Sequence, residues 1–222
     1  MKNKDLNNAI VTIDKDTLLE LPAAPFTGLI SLVDRKSQIS EAIEFLKKSP
    51  VIGFDTETKP SFKRGECHKV ALVQLATPEK TFLFRTNLIG LPAQLIELLE
   101  DPNILKIGLS IKDDFHSLAK ISEINPKNFI ELQNYVKDYR IVDTSLSKIY
   151  AILFGQRICK GQRLTNWEAD ELTEAQKNYA ALDAFACIQI YDHLKKGAFD
   201  PLNSQYLTIP EPPADPNNTN PE

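Results

Sequence analysis

The chain has 222 residues, of which 42% are hydrophobic and 25% are charged, and its formal net charge is −4. The composition is typical of a globular protein and excludes disorder over most of the length, while the length suits one domain with a well-buried core. The negative charge opposes binding to a polyanion, unless bound cations compensate clustered acidic groups locally.

The chain has no apolar run of the roughly 18 residues that a membrane-spanning helix needs, and its first residues lack the apolar centre of a signal peptide. We therefore expect a cytoplasmic protein without a membrane partner. Cys67, Cys159 and Cys187 are widely spaced and form no Cys-x-x-Cys pair, which predicts reduced structural thiols.

The N-terminal part of the chain, residues 1–28, is interrupted by prolines and weakly patterned, which predicts an arm that lies against the domain. The domain is predicted to span residues 29–200 and to begin with a strand over Leu29–Val33. Apolar residues then recur at helical spacing and stop near Pro50, which predicts a surface helix.

Three segments rich in β-forming residues follow at 51–57, 69–77 and 80–86, and each predicts a strand. LPAQLIELLE is helical, ILKIGLS predicts another strand, and the helix after it contains DDFHSLAKI. The remaining domain residues are predicted to be mostly helical, so the order of elements favours an α/β fold with a mixed sheet. Residues 201–222 are rich in proline and asparagine, and we expect a disordered tail there.

Two carboxylates share one face of the strand at 51–57. Because side chains alternate along a strand, Gly53, Asp55 and Glu57 point one way while their neighbours point the other. Like charges this close repel each other, which raises a carboxyl pKa or requires a cation, usually a divalent metal. Taken alone, an Asp-x-Glu pair is better explained by a strand that runs out into solvent.

Two adjacent aspartates follow the strand ILKIGLS, and helical phase distinguishes them. At about 100° per residue, Asp114 lies on the same face as Phe115 and Leu118, whereas Asp113 lies on the far side. An acid on the apolar face is costly unless it is paired or binds metal, while Asp113 fits an ordinary favourable charge in a first helical turn. Asp114 is therefore the candidate functional residue.

A long helix is predicted after the capping-box residues Thr173 and Gln176. Tyr179 and Asp183 lie one turn apart on its apolar stripe and are expected to face the sheet. A hydrogen-bonded Tyr-Asp pair within the core explains this spacing equally well.

Together, the three segments resemble the DEDDy group of 3′-5′ exonucleases, which includes ribonuclease D and the exonuclease domain of the Werner-syndrome helicase. The matching motifs are GFDTET, KIGLSIKDDFHSL and NWEADELTEAQKNYAALDAF, in that order, and the resemblance covers about residues 30–196. The Tyr-x-x-x-Asp spacing separates this group from relatives with histidine instead. One departure is Glu131, where relatives often have aspartate; it lies outside the motifs.

The resemblance implies a ribonuclease H-like fold, with a mixed sheet of about five strands flanked by helices. It also implies a 3′-5′ exonuclease that cuts nucleic acid from a free 3′ end and releases nucleoside 5′-monophosphates. Tyr179 would orient the attacking water, and the metal-binding carboxylates would be Asp55, Glu57, Asp114 and Asp183. Oxygen ligands suit two divalent cations, Mg²⁺ or Mn²⁺, and we predict that Asp55 bridges both while Asp114 holds the ion away from the attacking water.

Two basic stretches near the motifs are candidate phosphate contacts. KPSFKRGECHK supplies Lys59 and Arg64, and GQRICKGQR supplies Lys160 and Arg163. Surface lysines that only confer solubility explain these stretches equally well. Trp167 is predicted to pack between helices rather than to stack on a base.

Two other functions fit the same sequence. One is a catalytically silent nucleic-acid-binding module of the same fold, which the intact set of acids opposes because a buried acidic cluster is unfavourable without its cation. The other is a ribonuclease H-like nuclease that cuts internally, which Tyr179 opposes by its spacing from Asp183. Both DNA and RNA fit as substrates.

Overall fold

Two sheets and eight α-helices organise the part of the chain that the computed structural model describes, residues 6–63 and 65–210. The strands are β1 (Ile10–Val11), β2 (Leu29–Val33), β3 (Val51–Thr58), β4 (Val70–Ala76), β5 (Lys80–Phe84), β6 (Leu105–Gly108), β7 (Phe129–Glu131) and β8 (Leu207–Thr208). The helices are α1 (Lys15–Glu20), α2 (Ile39–Leu46), α3 (Thr86–Ile89), α4 (Ala93–Glu100), α5 (Ile111–Ala119), α6 (Leu132–Tyr135), α7 (Leu146–Phe154) and α8 (Glu174–Lys195).

The central sheet has six strands in the order β2-β5-β4-β3-β6-β7. It is mixed, because β3 runs antiparallel to β4 and parallel to β6. The predicted α/β fold with a mixed sheet is confirmed, although the sheet has one strand more than the five predicted. The additional strand is β7, whose three residues are too few to show a periodic pattern.

Helices cover both faces of this sheet. On one face, α2, α4 and α5 pack against apolar residues of the central strands such as Ile52, Phe54 and Leu75. On the other face, α8 packs against β3, β4 and β5. All seven residues of β4 are buried, which is expected of a strand covered on both sides. The predicted capping box of Thr173 and Gln176 begins α8.

Gly53 lets α8 lie unusually close to β3. A Cβ atom at this position would lie 1.9 Å from the carbonyl oxygen of Ala184, so any other residue would push the helix away from the strand. The contact occurs two residues before Asp55 and one residue after Asp183. It therefore sets the separation of the two elements at the carboxylates.

The C-terminal end of the chain differs from the sequence-based prediction. β1 pairs antiparallel with β8, and Tyr206 and Leu207 contact the core cluster that contains Val11. Residues 201–210, expected to belong to a disordered tail, therefore contain a 3-10 turn and a strand. The strand depends on pairing with a distant segment, which local composition does not reveal; residues 211–222 lie outside the described residues. Within the described ranges, no helix has the length and apolar character needed to cross a membrane.

Candidate active site

Three of the predicted carboxylates meet where the C-terminal half of β3 faces α8. Oxygen atoms of Asp55, Glu57 and Asp183 all lie within 4.8 Å of one another. The side chains of Glu57 and Asp183 are nearly inaccessible, with 8% and 6% of their surface exposed. Alternation along β3 places Asp55 and Glu57 on the face covered by α8, and the close approach at Gly53 brings Asp183 to them.

The cluster is electrostatically strained without a cation. Burial raises the pKa of Asp55 well above its usual range, and the neighbouring charge of Asp183 adds to the effect. Burial and Asp183 likewise raise the pKa of Glu57 to about 9, although Arg163 acts in the opposite direction. A divalent cation would favour the ionised form of all three groups, so this donor set fits a metal ion that binds hard oxygen ligands.

Tyr179 lies one turn before Asp183 on α8 and forms a side-chain hydrogen bond with it. Burial, together with the charges of Asp183 and Glu57, raises the tyrosine pKa above its usual value, so the hydroxyl keeps its proton at neutral pH. Trp167 is fully buried, with its ring centroid 6.2 Å from that of Tyr179. Trp167 packs in the core as predicted, but its apolar neighbours belong to β4 and β5 as well as α8, and the indole lies beside the tyrosine ring.

The fourth predicted carboxylate, Asp114, lies beside the group of three but outside it. Its carboxylate accepts a hydrogen bond from the Thr56 hydroxyl, and Thr56 points to the opposite face of β3 from Asp55. Burial raises the pKa of Asp114 to about 7. Its charge also contributes to the raised pKa of Asp55. Asp113 is exposed, as the helical phase predicts.

Glu131 has a structural role that sequence reasoning did not assign. Its carboxylate accepts hydrogen bonds from the backbone N–H groups of Ser110, at 3.0 Å, and Ile111, at 2.9 Å. Ser110 has a left-handed φ of 63°, so Glu131 holds the irregular turn that leads into α5 and Asp114. Its place at the end of β7 brings it to this turn, because the carboxyl ends of neighbouring parallel strands meet at one edge; β7 is too short for the sequence to reveal this position.

A cavity of about 330 Å³ opens onto the carboxylates. Lys160 and Arg163 line it together with Tyr179, and their positive charges oppose the raised pKa of Asp183. Lys59 is directed elsewhere: its ammonium group pairs with Glu168 at 3.4 Å, and it lines a neighbouring groove. Arg64, also predicted to contact phosphate, lies outside the described residues.

Comparison with known proteins places this geometry in a family. A family model described as a 3′-5′ exonuclease matches residues 30–198, which is more than half of the chain. The chain belongs to the 3′-5′ exonuclease family. The resemblance indicated by the three motifs is thereby confirmed at the level of the family.

Individual relatives of this 3′-5′ exonuclease-family chain are longer proteins. The mouse bifunctional 3′-5′ exonuclease/ATP-dependent helicase WRN is 34% identical over 184 residues, covering 78% of this chain and 13% of the mouse protein. A 3′-5′ exonuclease of Arabidopsis thaliana is 30% identical over 153 residues, covering 65% of this chain and 52% of the plant protein. The chain thus spans about half or less of the length of these relatives.

Solved structures of the family have the same fold. The Aedes aegypti Nibbler EXO domain matches with a TM-score of 0.69 at 24% identity, over 81% of this chain and 96% of that domain. Escherichia coli RNase D matches with a TM-score of 0.66 at 23% identity, over 75% of this chain and 44% of that protein. These exonuclease domains share the ribonuclease H-like arrangement of a mixed sheet flanked by helices.

Proposed function

We propose that this protein is a metal-dependent 3′-5′ exonuclease that hydrolyses nucleic-acid phosphodiester bonds from a free 3′ end and releases nucleoside 5′-monophosphates. The observation that carries the proposal is the meeting of Asp55, Glu57 and Asp183 within 4.8 Å, beside a Tyr-Asp pair, in a chain of this family. The nuclease names of its relatives support the same reaction. A cytoplasmic location stays a prediction.

The carboxylates are proposed to hold two divalent cations, Mg²⁺ or Mn²⁺. Oxygen ligands would come from Asp55, Glu57 and Asp183. Asp114, which lies beside this group, would help to hold the second cation. When bound, the cations would lower the pKa of the attacking water and neutralise charge that develops on the phosphate oxygens. The raised pKa values of the acids support this role, because a bound cation would stabilise the ionised carboxylates that burial and mutual repulsion disfavour.

Tyr179 is proposed to orient the attacking water. Its hydroxyl proton is directed to Asp183, so the phenolic oxygen remains free to accept a hydrogen bond from water. The fully buried Trp167 limits movement of the ring. The water would therefore be held at one position relative to Asp183 while the phosphodiester bond is attacked.

Lys160 and Arg163 are proposed to bind the phosphate groups of the substrate. They are the basic residues that line the carboxylate cavity within the described ranges, and they carry the charge opposite to phosphate. Contacts of this kind position a nucleic acid without reading its sequence, so we expect little sequence preference. Lys59 would contribute only after release from Glu168, and Arg64 remains a candidate from its sequence position.

Incubation with 5′-labelled DNA and RNA oligomers in the presence of Mg²⁺ or Mn²⁺ tests the proposal. We expect a ladder that shortens from the 3′ end, mononucleotide products, and no cleavage when EDTA is present. Asp55→Asn should abolish the ladder, whereas the exposed Glu97→Gln should leave it unchanged. Binding without any cleavage would support the catalytically silent module, and internal cuts would support the other ribonuclease H-like activity.

A further inference from the structure

Gln74 is a buried polar side chain on the strand next to the carboxylate cluster. It lies in β4, directly opposite Asp55 of β3, and none of its surface is exposed. Residues directly opposite on antiparallel strands project from the same face of a sheet, with Cβ atoms roughly 4.5–5.5 Å apart. Gln74 therefore shares the face of Asp55 and Glu57, which α8 covers.

The amide of Gln74 is unusual because neither Nε2 nor Oε1 has a hydrogen-bond partner among the described residues. Leu72 and Ala76, which lie two residues away on the same face of β4, belong to apolar clusters that include α8 residues. Buried side-chain amides are normally hydrogen-bonded, and an unpaired one is costly. Gln74 is thus a hydrogen-bond donor that lacks an acceptor.

Asp55 is a hydrogen-bond acceptor that lacks a side-chain donor among the described residues. Its carboxyl group receives a backbone hydrogen bond from Thr56, while no side chain within residues 6–63 and 65–210 donates to it. Carboxylates that bind metal are themselves held by hydrogen bonds from neighbouring groups, which fix their orientation. An ionised carboxylate also attracts a neutral donor more strongly than a protonated one does.

We infer that the Gln74 amide donates a hydrogen bond to the ionised, metal-bound carboxylate of Asp55 and fixes its orientation, so that Gln74 is a positioning residue of the metal centre. The inference rests on the proposed function, because it requires metal on Asp55. It explains why a strand otherwise built of apolar residues has a single amide at the position opposite Asp55.

Gln74→Met tests the inference because methionine is similar in length and removes both polar atoms of the amide. The matched control is Thr81→Val. Thr81 is also fully buried with an unpartnered hydroxyl, and it lies opposite Ala76 on the same face of the sheet. Mn²⁺ affinity would be measured by calorimetry without nucleic acid, together with the melting temperature of each metal-free protein.

Gln74→Met should weaken Mn²⁺ binding about tenfold, as is typical when a group that orients a metal ligand is removed. Its metal-free melting temperature should stay the same or rise, because an unsatisfied buried amide is lost. Thr81→Val should bind Mn²⁺ like the wild type. Both the affinity and the melting temperature are measured on the same variant, so a loss of binding can be separated from a loss of stability.

Three results would overturn the inference. They are an unchanged Mn²⁺ affinity in Gln74→Met, an equal loss of affinity in Thr81→Val, and a metal-free Gln74→Met protein that melts several degrees lower or does not fold. The last result would show that the amide stabilises the fold itself. If the wild type binds Mn²⁺ and cleaves while Gln74→Met binds equally well, only this inference fails; a wild type that binds no Mn²⁺ contradicts the proposed function.

Discussion

Replacing Glu57 by glutamine should stabilise the metal-free protein while abolishing its proposed activity. Burial and the charge of Asp183 raise the pKa of Glu57 from 4.5 to about 9 in the folded protein. Between these two values the folded protein holds a proton that the unfolded chain has released, so the free energy of unfolding falls by about 1.4 kcal/mol per pH unit as the pH rises. Relative to pH 4.5, the free energy of unfolding is therefore lower by about 3 kcal/mol at pH 7.

Glu57→Gln removes the titrating group, so the metal-free variant should be more stable than the wild type by about 3 kcal/mol at pH 7. For a chain of this size, that difference corresponds to a melting temperature higher by roughly 6–12 °C. The variant should also have a flatter dependence of stability on pH between about 5 and 9. A ligand that binds only the folded state stabilises it. Because Glu57→Gln lacks one proposed carboxylate ligand, added Mn²⁺ should raise the melting temperature of the wild type more than that of the variant.

Thermal unfolding followed by circular dichroism, in EDTA and across this pH range, provides the assay. Glu97→Gln is the control, since this exposed glutamate on α4 undergoes the same chemical change far from any burial penalty. It should shift the melting temperature by no more than a degree or two, in keeping with about 0.5 kcal/mol for a surface substitution. The reasoning is refuted if metal-free Glu57→Gln is no more stable than the wild type at pH 7, or if its stability falls with pH as steeply.

Three further predictions concern the surroundings of the cluster. Asp114→Asn should abolish most metal-dependent cleavage, whereas Asp113→Asn, at an exposed position, should keep its cleavage rate within a few-fold of the wild type. The reverse outcome in a nuclease assay would show that the inward face of α5 is misassigned. Glu131→Gln should weaken the hydrogen bonds to the turn before α5 and slow cleavage while the metal-free fold persists, and an unchanged kcat would exclude this positioning role. Deleting residues 206–222 removes β8 and should lower the melting temperature by several degrees, while deleting only 211–222 should not, because that segment is rich in proline and poor in apolar side chains; equal melting temperatures would show that β8 adds nothing.

Sequence patterns predicted the elements whose information is local. The alternation in β3 gave the shared face of Asp55 and Glu57, and the long periodic helix α8 carried Asp183 to them. Helical phase likewise identified Asp113 as the exposed member of its pair. In each case the burial pattern is set within one element, so its period can be seen in the sequence.

The features that sequence reasoning missed depend on contacts between distant segments. β8 forms only because β1 pairs with it, and β7 is a three-residue strand at the edge of the sheet. Glu131 acts through backbone groups some 20 residues earlier in the chain. Gln74 becomes notable only once its register with Asp55 is known. Such pairings have no fixed spacing along the chain, so no period reports them.

The absence of a side chain at Gly53 limits how the proposed catalytic site can change. Ala184 presses its carbonyl oxygen into the space where a Cβ atom would lie, so α8 and β3 are in backbone contact beside the carboxylates. An added methyl group would act as a wedge, and the helix would carry Tyr179 and Asp183 away from Asp55 together. Displacements near 1 Å can cost about a hundredfold in rate. The hydrogen atom that Gly53 has in place of a side chain therefore fixes the spacing of the proposed ligands, and substitutions of the acids could not compensate for its loss.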